Sequence, residues 1–164
     1  MGTLDAGTYN VVFSHPLYQS DTVSQVVLQN DSITVLDINL YSLTPLNLNI
    51  ETKLLGQNNA LSNVSFIISN DDFTYSGTTN QNGLFTVNNL IPGSYNIYAG
   101  IWGFKDFCLE NFSIVDDNSP FIMSFEQGYQ DQFNIDLGWT INSSAASGVW
   151  ERAQPVLTLS LIHI

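Results

Sequence analysis

The chain has 164 residues, 44% of them apolar, which is enough for a sizeable core and unlike a disordered composition. Three Lys/Arg against fifteen Asp/Glu give a net charge of −12. Lys53, Lys105 and Arg152 are too few to neutralise a nucleic-acid backbone, and the acidic balance disfavours an anionic membrane surface. One cysteine, Cys108, excludes an internal disulfide and a zinc cluster built on several thiolates. No apolar run reaches the roughly 18 residues that a membrane helix needs.

Taken in chain order, the segments read as short strands. Thr34, Leu36, Ile38 and Leu40 share one parity, opposite Val35, Asp37 and Asn39, and predict a strand. Leu46, Leu48 and Ile50 alternate strictly with polar neighbours, as in a half-buried strand. Val64, Phe66 and Ile68 repeat the pattern, Phe85 and Val87 give a shorter one, and Tyr95, Ile97 and Ala99 another. No stretch carries apolar residues at helical spacing over three turns, so the expectation is an all-β chain.

Turn chemistry separates these strands. Asn80-Gln81-Asn82-Gly83 predicts a tight hairpin with positive φ at Asn82 and Gly83. Ile91-Pro92-Gly93-Ser94 predicts a turn in which Pro92 presets φ and Gly93 supplies the left-handed residue. Gln29-Asn30-Asp31-Ser32 and Asp116-Asp117-Asn118-Ser119-Pro120 are two further turns. Short strands punctuated in this way suggest a sandwich.

The chain also repeats itself. Leu4-Asp5-Ala6-Gly7-Thr8-Tyr9-Asn10-Val11 parallels Leu90-Ile91-Pro92-Gly93-Ser94-Tyr95-Asn96-Ile97 at a constant offset of 86 residues, and Tyr18 falls opposite Phe104. A period of that size suits a small β module. The first copy lacks the half that precedes its Gly-Thr-Tyr strand. Residues 1–43 are therefore expected to be the C-terminal half of a truncated module, and residues 44–127 a complete one.

The central motif carries a resemblance. Asn82, Gly83, Phe85, Leu90, Pro92, Gly93, Tyr95, Gly103 and Phe104 stand where the carboxypeptidase regulatory-like domain has its Asn-Gly turn, aromatic strand, Pro-Gly-x-Tyr element and Gly-aromatic pair. Residues 44–127 resemble that domain, which implies a seven-stranded antiparallel β-sandwich of the transthyretin (prealbumin) type. The opening Gly-x-Val of the family is replaced here by Ile50-Glu51-Thr52-Lys53-Leu54. Leu137-Gly138-Trp139-Thr140 and Ser147-Gly148-Val149-Trp150-Glu151-Arg152 resemble the start of a further extracellular β domain, spanning 128–158. The last six residues, 159–164, resemble a translated sequencing adapter and are set apart from the fold.

The resemblance implies a non-catalytic accessory module of a secreted or cell-surface multi-domain protein of Bacteroidetes-type bacteria. It acts there as a spacer or docking domain, in some cases beside a zinc metallopeptidase domain. The implied partners are neighbouring domains of the same polypeptide and, at the surface, a glycan or protein, with no nucleic acid, membrane insertion or cofactor. No zinc-peptidase signature stands in the sequence, so no catalytic residue or metal ligand carries over. His15 stands before Pro16 without a second ligand nearby, and His163 lies in the adapter-like tail. Cys108 reads as a buried or semi-buried free thiol. Asp71-Asp72 and Asp116-Asp117 read as solvated turns that complete no calcium set. One candidate ligand face remains: Tyr98 and Trp102 share a parity opposite Tyr95, Ile97 and Ala99, pointing outward for stacking on a glycan or peptide. The competing reading has Trp102 closing an end of the sandwich.

Overall fold

The computed structural model describes residues 5–116, 120–140, 142, 144, 146 and 147. Leu4, Asp117-Asn118-Ser119, the Trp150-Glu151-Arg152 run, His163 and the adapter-like tail lie outside them. The described residues contain nine strands and no helix. Contacts divide the chain into two compact units, Met1–Pro45 and Leu46–Ile164.

The second unit is a β-sandwich. Its strands are β3 (Leu46–Leu54), β4 (Ser65–Ser69), β5 (Thr74–Thr78), β6 (Leu84–Leu90), β7 (Gly93–Gly100), β8 (Phe107–Ile114) and β9 (Phe121–Phe125). One sheet has the order β6-β3-β9 and the other β5-β4-β7-β8. The alternating residues of the sequence form the core between them: Leu48, Ile50, Val64, Phe66, Ile68, Val87, Tyr95, Ile97 and Ala99 are buried, with Met123 and Phe125 from β9. Burying one such side chain stabilises the fold by about 1.5–3 kcal/mol, so parity decides which face of each strand turns to the core.

Three expectations are corrected. First, the sandwich is not wholly antiparallel, because β9 runs parallel to β3 with Ile50 opposite Phe121 and Leu54 opposite Phe125. Second, the turn at 80–83 is not a hairpin between paired strands. It carries the chain from β5 in one sheet to β6 in the other. Only Gly83 is left-handed, at φ 69°, and the Gly83 N–H donates to the Asn80 carbonyl at 2.9 Å. A Cβ on Gly83 would lie 2.6 Å from the Thr52 carbonyl oxygen, so the position demands glycine twice over. Third, the left-handed residue before β7 is Asn89, at φ 56°, and not Gly93. That turn also changes sheets, from β6 to β7.

Thr52 and Thr79 are the buried polar residues of this core, and both are satisfied. The Thr52 hydroxyl donates to the Leu61 carbonyl at 2.5 Å, and the Val64 N–H donates to the Thr79 hydroxyl at 3.1 Å. At the other edge of the motif, the Tyr95 hydroxyl donates to the Ile91 carbonyl at 2.7 Å. Burial, with Tyr75 beside it, pushes the Tyr95 phenol well above the ordinary tyrosine range.

The first unit holds β1 (Gly7–His15) and β2 (Tyr18–Leu28), an antiparallel hairpin. Its register repeats that of β7–β8 pair for pair at the offset of 86. Gly7↔Leu28, Tyr9↔Val26, Val11↔Val23 and Phe13↔Asp21 match Gly93↔Ile114, Tyr95↔Phe112, Ile97↔Leu109 and Ala99↔Phe107. The same bulge interrupts both, with Gln25 at φ 59° in one and Asn111 at φ 53° in the other. The N–H of each bulge residue donates to the carboxamide oxygen of an equivalent asparagine, Asn10 at 3.2 Å and Asn96 at 3.0 Å. The Tyr9 hydroxyl repeats the tyrosine bond by donating to the Asp5 carbonyl at 2.8 Å.

The strand expected over 34–40 does not join a ladder. The alternation is present, with Leu36, Ile38 and Leu40 half-buried and Ile33, Val35 and Tyr41 exposed, but the segment pairs with no strand. The physical reason is visible in the other unit. The equivalent strand there is β9, whose ladder partner is β3, and residues 5–45 contain no counterpart of β3.

Candidate functional site

β7 ends at Gly100, and a tight turn follows. The Phe104 N–H donates to the Ile101 carbonyl at 3.2 Å, and Gly103 takes φ 89°. This lifts Trp102 to the apex of the turn, 56% exposed. The chain leaving β9 returns to the same place. Gln127 bridges Phe104, the Gly128 N–H donates to the Gly103 carbonyl at 3.0 Å, and the Asp106 N–H donates to the Gln130 carbonyl at 3.1 Å. Ile135 is buried, and Leu137 sits where a Cβ on Gly100 would touch it. Residues 128–140, which the sequence assigns to a further domain, thus pack on the end of this sandwich.

Three aromatic rings meet there. The centroid of Trp102 lies 4.7 Å from that of Trp139 at 86°, and 6.0 Å from that of Tyr129 at 74°. Both are edge-to-face contacts, the arrangement that the ring quadrupole favours. Asp131 fixes the geometry: one carboxylate oxygen accepts from the Phe133 N–H at 2.7 Å and the other from the Trp139 indole N–H at 2.6 Å. The rings, with Gln130 and Asp131, line a cleft of about 180 Å³. Tyr129 is 82% and Trp139 53% exposed, so the cluster offers ring faces to solvent instead of filling a core.

Asp106 is bonded to the same returning segment, through Gln130 and Gln132. One carboxylate oxygen accepts from the Gln132 N–H at 2.6 Å, while the other is buried without a hydrogen-bond partner. Desolvation raises its pKa above the ordinary carboxylate range, with the Asp131 charge acting in the same direction. Asp106 does not line the cleft. Among the described residues, no three His, Cys, Asp or Glu side chains gather to hold a metal ion.

The expected pairing of Tyr98 with Trp102 does not occur. Tyr98 lies within β7, between Ile67 of β4 and Cys108 of β8, whereas Trp102 stands beyond the end of the strand. Strand parity has no meaning past Gly100, and the partners of Trp102 are Tyr129 and Trp139. Tyr129 and Asp131 belong to no alternating segment, so no sequence pattern marks them, and the indole–carboxylate bond joins residues in irregular backbone, where periodicity carries no signal. Cys108 is exposed on β8, not buried, and desolvation followed by the charges of Glu110 and Asp106 raises its thiol pKa. His15 is exposed at a strand end, edge-on to Tyr18 at 5.2 Å, and its Nδ1 accepts from the Leu17 N–H at 3.2 Å. Asp71 and Asp72 are turn residues beside Asn70, whose side-chain oxygen accepts the Asp72 and Phe73 N–H groups.

No family model matches the chain, and no curated protein matches it. A solved structure described as that of the Streptococcal ancillary pilin superposes with a TM-score of 0.52 at 16% identity. The match covers 76% of this chain and 43% of that one, so this chain spans less than half the length of its structural neighbour. At that identity the likeness concerns the fold, and the fold is an all-β sandwich.

Proposed function

We propose that this chain is a non-catalytic accessory segment of a secreted or cell-surface bacterial protein. In this reading residues 44–127 form a carboxypeptidase regulatory-like module that acts as a spacer or docking domain for neighbouring domains of the same polypeptide. The observation that carries the reading is the hairpin that recurs with the same register, bulge and tyrosine bond at an offset of 86 residues. Tandem β modules are how an extended array is built from small units that each bury their own core. The sandwich fold shared with an ancillary pilin fits a surface role. An acidic, Lys-poor chain favours solubility of such an array over attachment to phosphate polymers.

A spacer module must unfold as one body. Heating the full chain while following tryptophan fluorescence and near-ultraviolet circular dichroism should show coincident, cooperative transitions for the second unit. A broad transition that differs between the probes would remove the reading.

The exposed aromatic cleft favours a second reading, in which the same module binds a glycan. Ring faces at Trp102, Tyr129 and Trp139 suit stacking on a pyranose, and the Gln130 and Asp131 side chains supply hydroxyl partners. The net charge of −12 favours neutral over anionic polysaccharides. A glycan array probed with the chain and with W102A decides: saturable binding lost in the variant supports this reading, and no binding by the parent chain removes it.

A further inference from the structure

Trp102, Tyr129 and Trp139 line one cleft, and Trp102 stands nearly perpendicular to both partners, at 74° to Tyr129 and 86° to Trp139. Each ring carries negative charge density on its faces and positive density at its edge. A pyranose stacks along one flat face. Planes that meet near a right angle leave a corner instead, which suits a compact group touched from more than one side. A cation in such a corner is attracted by every ring face it meets, through a quadrupole interaction that a neutral group lacks.

The charge around the cleft has the matching sign. Asp131 lines it, and no lysine among the described residues pairs with Asp131. Lys105 is held by Glu126 at 2.8 Å and Lys53 by Glu51 at 3.1 Å. Each Asp131 carboxylate oxygen already accepts a hydrogen bond, one from the Phe133 N–H and one from the Trp139 indole N–H. A primary ammonium or a guanidinium brings several N–H donors, all of which need acceptors once water is displaced. A trimethylammonium group has no N–H to satisfy, and its methyl groups can lie directly on ring faces. Size agrees with this chemistry. The cleft, at about 180 Å³, is smaller than the roughly 300–1,000 Å³ of sites that enclose a drug-sized ligand, so it admits a single head group.

We propose that the aromatic cleft is a binding site for a trimethylammonium cation, held by the rings of Trp102, Tyr129 and Trp139 and by the field of the Asp131 carboxylate. The ligand is a free cation such as choline and not its phosphate ester, because Asp131 and the net charge of −12 oppose an attached phosphate. This site depends on the ring geometry and the local charge, and not on glycan binding.

The probes are choline and the neutral alcohol in which carbon replaces the choline nitrogen. Each is titrated into the full chain while the indole N–H signals of Trp102 and Trp139 are followed by NMR. Choline should shift both signals saturably and bind at least about tenfold tighter than the neutral alcohol. Phosphocholine should bind more weakly than choline. Tyr129 is 82% exposed, so Tyr129→Ala removes one ring without touching the core, and it should weaken choline binding at least about threefold. Asp131→Asn removes the charge and should weaken it by at least about the same factor. The fluorescence melt of the second unit shows whether each variant remains folded. No saturable shift up to about 50 mM choline overturns the proposal. Equal binding of the neutral alcohol, tighter binding of phosphocholine, or unchanged choline affinity in either variant also overturns it. A neutral oligosaccharide that shifts the two indole signals when choline does not overturns it in favour of a glycan as the occupant.

Discussion

The two copies of the tyrosine bond allow one interaction to be measured in two settings. Tyr95 is 1% exposed, and its hydroxyl donates to the carbonyl of buried Ile91 at 2.7 Å. Tyr9 makes the same bond to Asp5 at 2.8 Å, but in an exposed setting. Tyr95→Phe keeps the ring and leaves the Ile91 carbonyl without its donor. An unsatisfied buried acceptor costs about 1–3 kcal/mol, whereas water replaces the lost partner at an exposed site and the cost there is about 0–0.5 kcal/mol. With a urea slope of about 1–1.5 kcal/mol/M, the Tyr95 variant should lose about 1–2 M in midpoint. Trp102 and Trp139 report the transition of the second unit, and Tyr9→Phe should leave that midpoint unchanged. The same residue sets an alkaline limit. Its folded pKa lies above its unfolded value, so the stability it contributes is present below the ordinary tyrosine value and is lost as pH rises beyond it. Tyr95→Phe should therefore also flatten the fall in stability at high pH. Equal urea shifts for the two variants, or an alkaline profile unchanged by Tyr95→Phe, would refute the reasoning.

Other perturbations test other parts of the sandwich. Gly83→Ala places a Cβ 2.6 Å from the Thr52 carbonyl at φ 69°, and should cost at least about 2 kcal/mol in urea unfolding. Thr52→Val removes the hydroxyl that donates to Leu61 and should cost about 1–2 kcal/mol, read in the same assay. Asp106→Asn acts through pH. The raised folded pKa of Asp106 means that protonation favours the native state, so stability falls as pH rises through the window above the ordinary carboxylate value. The variant keeps an oxygen for the Gln132 N–H and should be more stable than the parent at pH 7, with a flatter profile below it. An increased acid-to-neutral slope in D106N would contradict the assigned cause.

Parity in Leu46–Ile50, Val64–Ile68 and Tyr95–Ala99 could be read because each strand has one face on the core, and alternation is the imprint of that asymmetry. The repeat could be read because its determinants are local. A glycine opens the strand, a tyrosine reaches back to a carbonyl, and an asparagine receives the bulge. Sheet membership could not be read. The turns at 80–83 and 91–94 use residues that also make hairpins, and only packing decides that they cross between layers. The β3–β9 ladder joins Ile50 to Phe121, and no sequence signal marks so distant a parallel pair. The cleft was legible at Trp102 alone. Tyr129 and Asp131 lie in irregular backbone, where periodicity is silent, and the chain beyond β9 brings them to Trp102.

The comparison between units separates what the hairpin encodes from what its neighbours supply. In both, the strands pair in one register about the same bulge, although among the described residues a full facing sheet covers only the hairpin of the second unit. Register is therefore a property of the local sequence, held by backbone bonds and short-range side-chain bonds. Burial is not. An isolated two-stranded hairpin is marginal in water because it removes too little apolar surface to offset chain entropy. In the second unit β3, β6 and β9 close over Tyr95 and Ile97 and supply that burial. The long-range β3–β9 pairing is thus the step that turns a preset local geometry into a stable layer. The stability of this fold should respond more to Met123 or Phe125, whose contacts exist only when that pairing forms, than to exposed residues of the hairpin itself.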